Sequence, residues 1–211
     1  MNSPFRSYSE HKIAFKQPIM NSWFSFSEQI RFYLQSKNAH GIHSPFVYNF
    51  YTSVKSLSKK QSNSFSEPTV FSQKQNQIIQ SILAYLDPNK ILLIHHENRK
   101  EMYFQKFFSK KMTVFIADGL QKLPQNKENF DLIVLSNSLL ASHKELFRVL
   151  SSYISGNSVV IIPHIHASKL TIDQWKTLIE EKTIRLSLDL YFIGLLFFRT
   201  ESSKQNFYLR F

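Results

Sequence analysis

The stretch ILLIHHENRKEM, residues 91–102, decides the fold assignment of this chain. A short apolar run ends in two histidines and passes directly into a charged segment, which predicts a buried strand followed by a helix. In open α/β sheets a nucleotide-like ligand sits at this kind of junction, and its turn is usually rich in glycine. This turn contains no glycine. The sequence therefore raises the question of whether a cofactor binds here at all.

Apolar strands alternate with helices on both sides of that stretch. Strands are predicted over 90–95, 112–118, 130–136 and 158–165, and helices over 72–86, 99–111, 144–154 and 171–182. Short continuous apolar strands between helices indicate a largely parallel sheet with helices on both faces. The last two apolar segments, 184–199 and 206–211, are joined so closely that they are predicted to form an antiparallel pair.

The N-terminal third has a different character. Residues 1–24 contain two prolines and are predicted to form a flexible extension, while residues 25–70 are predicted to form a helical cap followed by a serine-rich linker over 56–70. Residues 71–211 then form the α/β domain. Within the cap, the segment HGIHSPF (residues 40–46) is interpreted as a structural turn, with a role in substrate binding as the alternative.

The amino-acid composition limits the classes of protein to which the chain can belong. A chain of 211 residues with 43% hydrophobic residues can bury a core, and the absence of cysteine excludes disulfides, cysteine-ligated zinc and thiol catalysis. No apolar run has the length of a membrane span, so a cytoplasmic protein is expected. The net charge of +11 is spread over scattered basic residues, which predicts a solvated basic surface with at most weak affinity for polyanions. The alternative is a basic RNA- or membrane-associated protein that uses the fold as a scaffold.

Four segments carry a resemblance to a known family: HGIHSPFVYNFY (40–51), FDLIVLS (130–136), SVVIIPHIHASK (158–169) and the C-terminal stretch from residue 186. They resemble small O-methyltransferase-like proteins of the Bacteroidetes, within the class I S-adenosylmethionine (SAM)-dependent methyltransferases. The resemblance implies a Rossmann-like α/β fold with a mostly parallel sheet, a C-terminal antiparallel hairpin and an N-terminal helical cap. The segment between the first strand and FDLIVLS is shorter than in that fold by about one strand–helix unit.

The chain departs from the family where the cofactor would bind. The family has an acidic-Gly-x-x-x-Gly turn after the first strand, and its glycines let the backbone approach the cofactor closely. Here the corresponding positions hold His95, His96, Glu97 and Asn98. These larger side chains are expected to occupy space that the cofactor needs.

The family's acidic residues are also missing. An Asp-Gly pair after the FDLIVL strand is replaced by Ser136 and Asn137, and two aspartates after the next strand are replaced by Pro163 and His164. Neutral side chains cannot hold the hard cation of metal-assisted methyl transfer. Asp118 is the one candidate for the acid that holds the cofactor ribose, although it also suits the turn before a glycine.

These departures predict a methyltransferase-like fold without SAM binding, without a cofactor and without catalytic residues, which acts as a binding or scaffold domain for an unknown protein partner. The alternative is an active SAM-dependent O-methyltransferase with an atypical cofactor site. In that case SAM is the cofactor. It would bind at the positions that correspond to the family's cofactor site, namely His95, His96, Glu97, Asn98, Asp118, Ser136 and Asn137.

The histidines form a second pattern. His95 with His96, and His164 with His166, follow two predicted strands that only the strand ending at Ser136 separates. These imidazoles, with His40 and His43 from the cap, could form a metal site because neutral imidazole is a good zinc ligand. A hydrogen-bonded polar rim is the favoured interpretation. Trp175 is interpreted as a packing residue, and Asp189 and Arg199 as charges at strand ends.

Overall fold

Seven strands form one sheet in the computed structural model, which describes residues 22–60, 70–96, 100–199 and 203–211. The strands are β1 Lys90–His95, β2 Thr113–Asp118, β3 Leu132–Leu135, β4 Val159–Pro163, β5 Leu186–Asp189, β6 Ile193–Phe197 and β7 Gln205–Tyr208. Their order in the sheet is β2-β1-β3-β4-β6-β5-β7. Only β6 runs against the others. This confirms the predicted Rossmann-like methyltransferase architecture, with its mostly parallel sheet and antiparallel hairpin.

Helices cover both faces of the sheet, together with short 3₁₀ segments. The α-helices are α1 Ser22–Gln35, α2 Pro45–Lys60, α3 Gln73–Leu86, α4 His143–Leu150 and α5 Lys169–Ile179. Helix α3 begins at a capping box, in which the Ser72 side chain and the Gln75 side chain each accept a backbone N–H, and it ends at Asp87 in the left-handed conformation. None of the described helices is long and apolar enough to cross a membrane.

The strict alternation of side chains along β1 divides the core into two layers. Ile91 and Leu93 pack with α2, α3 and the 3₁₀ helix Lys100–Phe107, whereas Leu92 and Ile94 pack with α4 and α5. Successive residues of a strand point to opposite faces, so an uninterrupted apolar run is required wherever both faces are covered. This is why the central strands could be recognised in the sequence.

The C-terminal strands differ from the sequence prediction in their pairing. The hairpin lies inside the segment predicted as a single strand: β5 and β6 pair antiparallel, and the turn between them contains Tyr191 with φ of 72°. Strand β7 runs opposite to β6, as the short connection requires. It lies beyond β5, however, and pairs with β5 in parallel. A residue in the left-handed conformation allows the tight reversal that periodicity alone did not indicate.

Some further expectations differ from the structure, and one agrees with it. The segment predicted as a helix over 99–111 is a 3₁₀ helix, Lys100–Phe107, and residues 56–60 of the predicted linker belong to α2. Only the 3₁₀ helix Leu120–Lys122 lies between β2 and β3, and β2 is the edge of the sheet, which agrees with the predicted loss of one strand–helix unit. Residues 22–24 of the flexible extension predicted over 1–24 belong to α1. The rest of that extension, 1–21, and residues 61–69 of the predicted linker lie outside the described residues.

Candidate functional site

The ends of β1, β3 and β4 are neighbours in the sheet, in the order expected from the sequence. They bring His95, Ser136 and His164 to one rim, which we call the carboxyl edge because the six parallel strands end there. Ligands of open α/β sheets bind at this edge. The carboxyl edge is therefore the candidate functional site.

His95 and Asp118 connect the ends of β1 and β2. The His95 side chain is buried, and its Nδ1 lies 3.6 Å from Oδ1 of Asp118, whose other oxygen accepts a 3.2 Å hydrogen bond from Nζ of Lys122. The Gly119 N–H donates to the His95 carbonyl at 2.8 Å and extends the backbone pairing past the strand ends. Asp118 is half exposed. It is thus a carboxylate at the end of the strand next to β1.

His96 turns towards the same corner. Its Cδ2 is 4.0 Å from the position that a Cβ on Gly119 would take, and Gly119 has φ of 77°, which favours glycine. Nδ1 of His96 is buried and has no hydrogen-bond partner among the described residues. Glu97 and Asn98, which the sequence also placed in the cofactor site, lie outside the described residues.

The residues after β3 are neutral and bonded to other protein groups. Oγ of Ser136 is 2.8 Å from Oγ of Ser138, and the Ser136 N–H donates to the Ile94 carbonyl at 3.0 Å. Nδ2 of Asn137 donates to the His164 carbonyl at 3.2 Å. These bonds connect the ends of β1, β3 and β4 without any charged group.

Aromatic side chains pack over the end of β4. The Phe71 ring stacks on His164 with 4.7 Å between ring centroids and 12° between planes, and it contacts Phe104 and Phe192 edge-on at 6.0 Å. His164 adopts φ of 55°, and Phe71 is 5% exposed. The sequence interpretation did not include Phe71. An available signal was its place directly before the cap of α3, where an apolar residue commonly packs inward.

A second cluster lies at the ends of β4 and β5 beneath α1. Nε2 of His166 is 2.9 Å from Oδ2 of Asp189, and both side chains are buried, with 9% and 3% exposed. Oδ1 of Asp189 accepts the Tyr191 N–H at 2.8 Å, the Tyr191 ring stacks on His166, and Phe32 of α1 contacts both rings edge-on. Asp189 is therefore a buried partner and not an exposed charge at a strand end.

Burial affects the ionisation of two tyrosines in this part of the structure. It raises the pKa of Tyr191 above its ordinary value, and the negative charges of Glu28 and Asp189 act in the same direction. Burial likewise raises the pKa of Tyr208. Both phenols are accordingly held in their neutral form, because a low-dielectric environment disfavours the phenolate.

His40 and His43 are exposed. Phe46, three residues after His43, packs on Phe197, which pairs with the first residue of β4 at the opposite edge of the sheet. Within the described ranges, no group of three or more His, Asp or Glu side chains is arranged to hold a metal ion. The imidazoles of His95, His164 and His166 instead contact other protein groups.

No known family model matches the chain, and no curated protein matches it. Solved structures with a similar arrangement include a methyltransferase from Geobacter sulfurreducens, with 10% identity and a TM-score of 0.46 over 82% of this chain and 96% of that one. An SAH-bound methyltransferase from Podospora anserina has 11% identity and a TM-score of 0.44 over 89% of this chain and 100% of that one. The chain spans only 37% of the phosphoethanolamine N-methyltransferase 2 of Haemonchus contortus, to which it is 11% identical over 57% of its own length with a TM-score of 0.42. No residue role is transferred from these proteins.

Proposed function

We propose that this chain is a methyltransferase-fold domain that neither binds SAM nor transfers a methyl group, and that it works by binding another molecule. In this proposal residues 71–211 form the methyltransferase-like domain and residues 25–70 its helical cap. The chain is then a diverged relative of the O-methyltransferase-like proteins that its sequence resembles.

The observation that carries the proposal is the stacking of Phe71 on His164. Four aromatic or imidazole rings, from the start of α3, the 3₁₀ helix after β1, the end of β4 and the start of β6, meet over the carboxyl edge. Such packed rings resist displacement, because each buries a large apolar surface. A nucleoside that entered above β1 and β4 would have to displace them.

The chemistry of the neighbouring residues supports the same conclusion. Ser136 and Asn137 already bond to protein atoms, and they are neutral where the family has acidic groups. Without carboxylates, this part of the edge cannot hold a divalent cation to lower the pKa of an acceptor hydroxyl. A scaffold that has kept its core but lost this chemistry can still present a binding surface.

Asp118 favours a second candidate function, an active methyltransferase with an atypical SAM site. Its carboxylate is half exposed at the end of β2, next to the end of β1, where an acid that holds the ribose is expected. It contacts His95 at 3.6 Å and Lys122 at 3.2 Å.

Calorimetric titration with SAM and with S-adenosylhomocysteine tests both candidates. We expect no saturable binding to the wild-type protein. Saturable binding in the micromolar range would overturn the proposal. The second candidate then predicts that Asp118→Asn weakens binding, while the control Asp173→Asn, which changes an exposed acid of α5, leaves it unchanged.

A further inference from the structure

Helix α1 has two different faces. Glu28 and Phe32 point inward, where Phe32 contacts His166 and Tyr191. The opposite face carries large apolar side chains, which we call the α1 stripe. With roughly 100° between successive residues of a helix, these five residues fall on one side of α1: Trp23, Phe26, Ile30, Tyr33 and Leu34.

The α1 stripe is strongly exposed to solvent. The exposed fractions are 84% for Trp23, 59% for Phe26, 46% for Ile30, 62% for Tyr33 and 78% for Leu34. Single exposed apolar residues need no explanation, but a contiguous apolar surface on a folded domain marks an interaction site. Elsewhere in the described part of the chain, the large exposed apolar residues are Tyr48, Ile116 and Leu170, which lie on three separate elements.

The charges beside the stripe are positive. Glu28 is the only acid of α1; it is turned inward, with 11% of its side chain exposed, and lies 3.1 Å from Nη1 of Arg31. Arg31 is 63% exposed, and the Arg210 guanidinium lies 4.2 Å over the ring of Tyr33. Lys37 is exposed just after the helix. The stripe is therefore an apolar, aromatic-rich surface with a cationic border.

We propose that the α1 stripe binds the anionic surface of a phospholipid membrane, with α1 lying in the plane of the interface. Amphipathic helices bind in this way when Trp, Phe and Leu form the apolar face and basic residues border it. Trp and Tyr prefer the level of the lipid headgroups, and each nearby basic residue adds attraction to anionic lipid. This inference rests on one part of the proposed function, namely that the domain works by binding another molecule.

A second copy of the chain is a poorer occupant of the stripe. Pairing two stripes would bring together two chains with a charge of +11 each, and like charges repel. A membrane needs no surface of matching shape, and its anionic lipids attract the positive charge of the chain.

The two tryptophans allow a direct test. Trp175 is 2% exposed in the core, whereas Trp23 is 84% exposed on the stripe. We expect vesicles of phosphatidylcholine with phosphatidylserine to shift the tryptophan emission to the blue, because only Trp23 changes its environment. Vesicles of phosphatidylcholine alone should give a smaller shift, and added salt should weaken binding to the anionic vesicles. Co-sedimentation with the vesicles measures the same binding independently.

Matched variants locate the binding surface. The double variant Phe26→Glu with Ile30→Glu should weaken vesicle binding by about tenfold or more, since it places charges in the apolar layer. Leu170→Glu changes an apolar residue that is 67% exposed on α5 and should bind vesicles as the wild type does. Circular dichroism establishes that both variants are folded.

Three outcomes would overturn the inference. The first is the absence of any emission shift or co-sedimentation with anionic vesicles. The second is equal loss of binding in the α1 and Leu170 variants. The third is a dimer that Ile30→Glu abolishes, in a protein that does not bind vesicles, which would make a second copy the occupant. None of these outcomes depends on the SAM titration, so the two proposals can fail separately.

Discussion

Nε2 of His166 lies 2.9 Å from Oδ2 of Asp189, and this pair joins the end of β4 to the end of β5 across the reversed strand β6. Both side chains are buried, and Asp189 bonds to His166 and to the Tyr191 N–H, whereas Nδ1 of His166 has no hydrogen-bond partner among the described residues. The ring of Tyr191 stacks on His166, and Phe32 of α1 contacts His166 edge-on, so the pair lies where α1 packs on the domain. It is one of several contacts that join the cap to the sheet, such as the bridge between Lys37 and Leu209.

The first prediction concerns this pair. Asp189→Ala removes the acceptor for both His166 and the Tyr191 N–H, and we expect a loss of about 2–4 kcal/mol in the free energy of unfolding. Asp189→Asn keeps an oxygen for Tyr191 and an amide for His166, so its loss should be roughly 1 kcal/mol. Urea unfolding followed by circular dichroism measures both. Equal losses in the two variants would show that the hydrogen bonds contribute little.

The second prediction concerns the contact between Gly194 and Trp175. A Cβ added at Gly194 would lie 2.6 Å from Cη2 of Trp175, which is fully buried. Gly194→Ala should therefore cost about 1–3 kcal/mol through overpacking. Gly156→Ala is the control, because its Cβ would meet no atom within 4 Å. Thermal unfolding of the two variants compares them, and a wild-type melting temperature for Gly194→Ala would refute the close packing.

The third prediction concerns alkaline pH. The pKa of Tyr191 is raised by burial, so the folded state holds this proton more tightly than the unfolded state. The resulting stability is fully present below the unfolded pKa of about 10 and is lost as pH rises through the folded pKa. Wild-type protein should lose more stability than Tyr191→Phe between about pH 8 and pH 11. Urea midpoints measure this difference.

The exposed Tyr48 provides the control for this titration. Its ring is 45% exposed on α2, and Tyr48→Phe should keep the pH dependence of the wild-type protein. If Tyr191→Phe and Tyr48→Phe behave alike at alkaline pH, burial of Tyr191 does not contribute to the pH dependence of folding.

The fourth prediction concerns the aromatic cluster at the carboxyl edge. Phe71→Ala removes a ring that is 5% exposed and packs on His164, Phe104 and Phe192, and we expect a loss of about 3–5 kcal/mol. Phe26→Ala truncates the same side chain at a position that is 59% exposed and should change the stability little. Denaturant unfolding separates the two. A small effect at Phe71 would mean that the ring does not fill this edge.

Sequence reasoning succeeded where the local pattern is sufficient. The continuous apolar runs of β1, β3 and β4 identify strands buried on both faces, and the helix predicted over 72–86 is confirmed as α3. The packing role predicted for Trp175 is confirmed by its burial against Gly194. In each case neighbours in the chain supply the physical constraint.

The site required information that local patterns do not contain. Asp189 follows an apolar strand, and nothing near it in the chain indicates that His166, 23 residues earlier, becomes its buried partner. His40 and His43 resemble the other histidines in the sequence, yet they are exposed and His43 lies towards the opposite edge. Phe71 is distant in sequence from His164, and only the order of the strands brings their rings together.

The sequence alone determined the layered α/β class and the direction of the central strands. These follow from periodicity and residue type, which are local properties of a chain. The tertiary structure decided which side chains meet: the His166–Asp189 pair, the rings over the carboxyl edge and the unpartnered face of α1. Such contacts depend on the position of β6 between β4 and β5 and on where α1 packs. Residues that are distant in the sequence become buried against each other only when the chain folds.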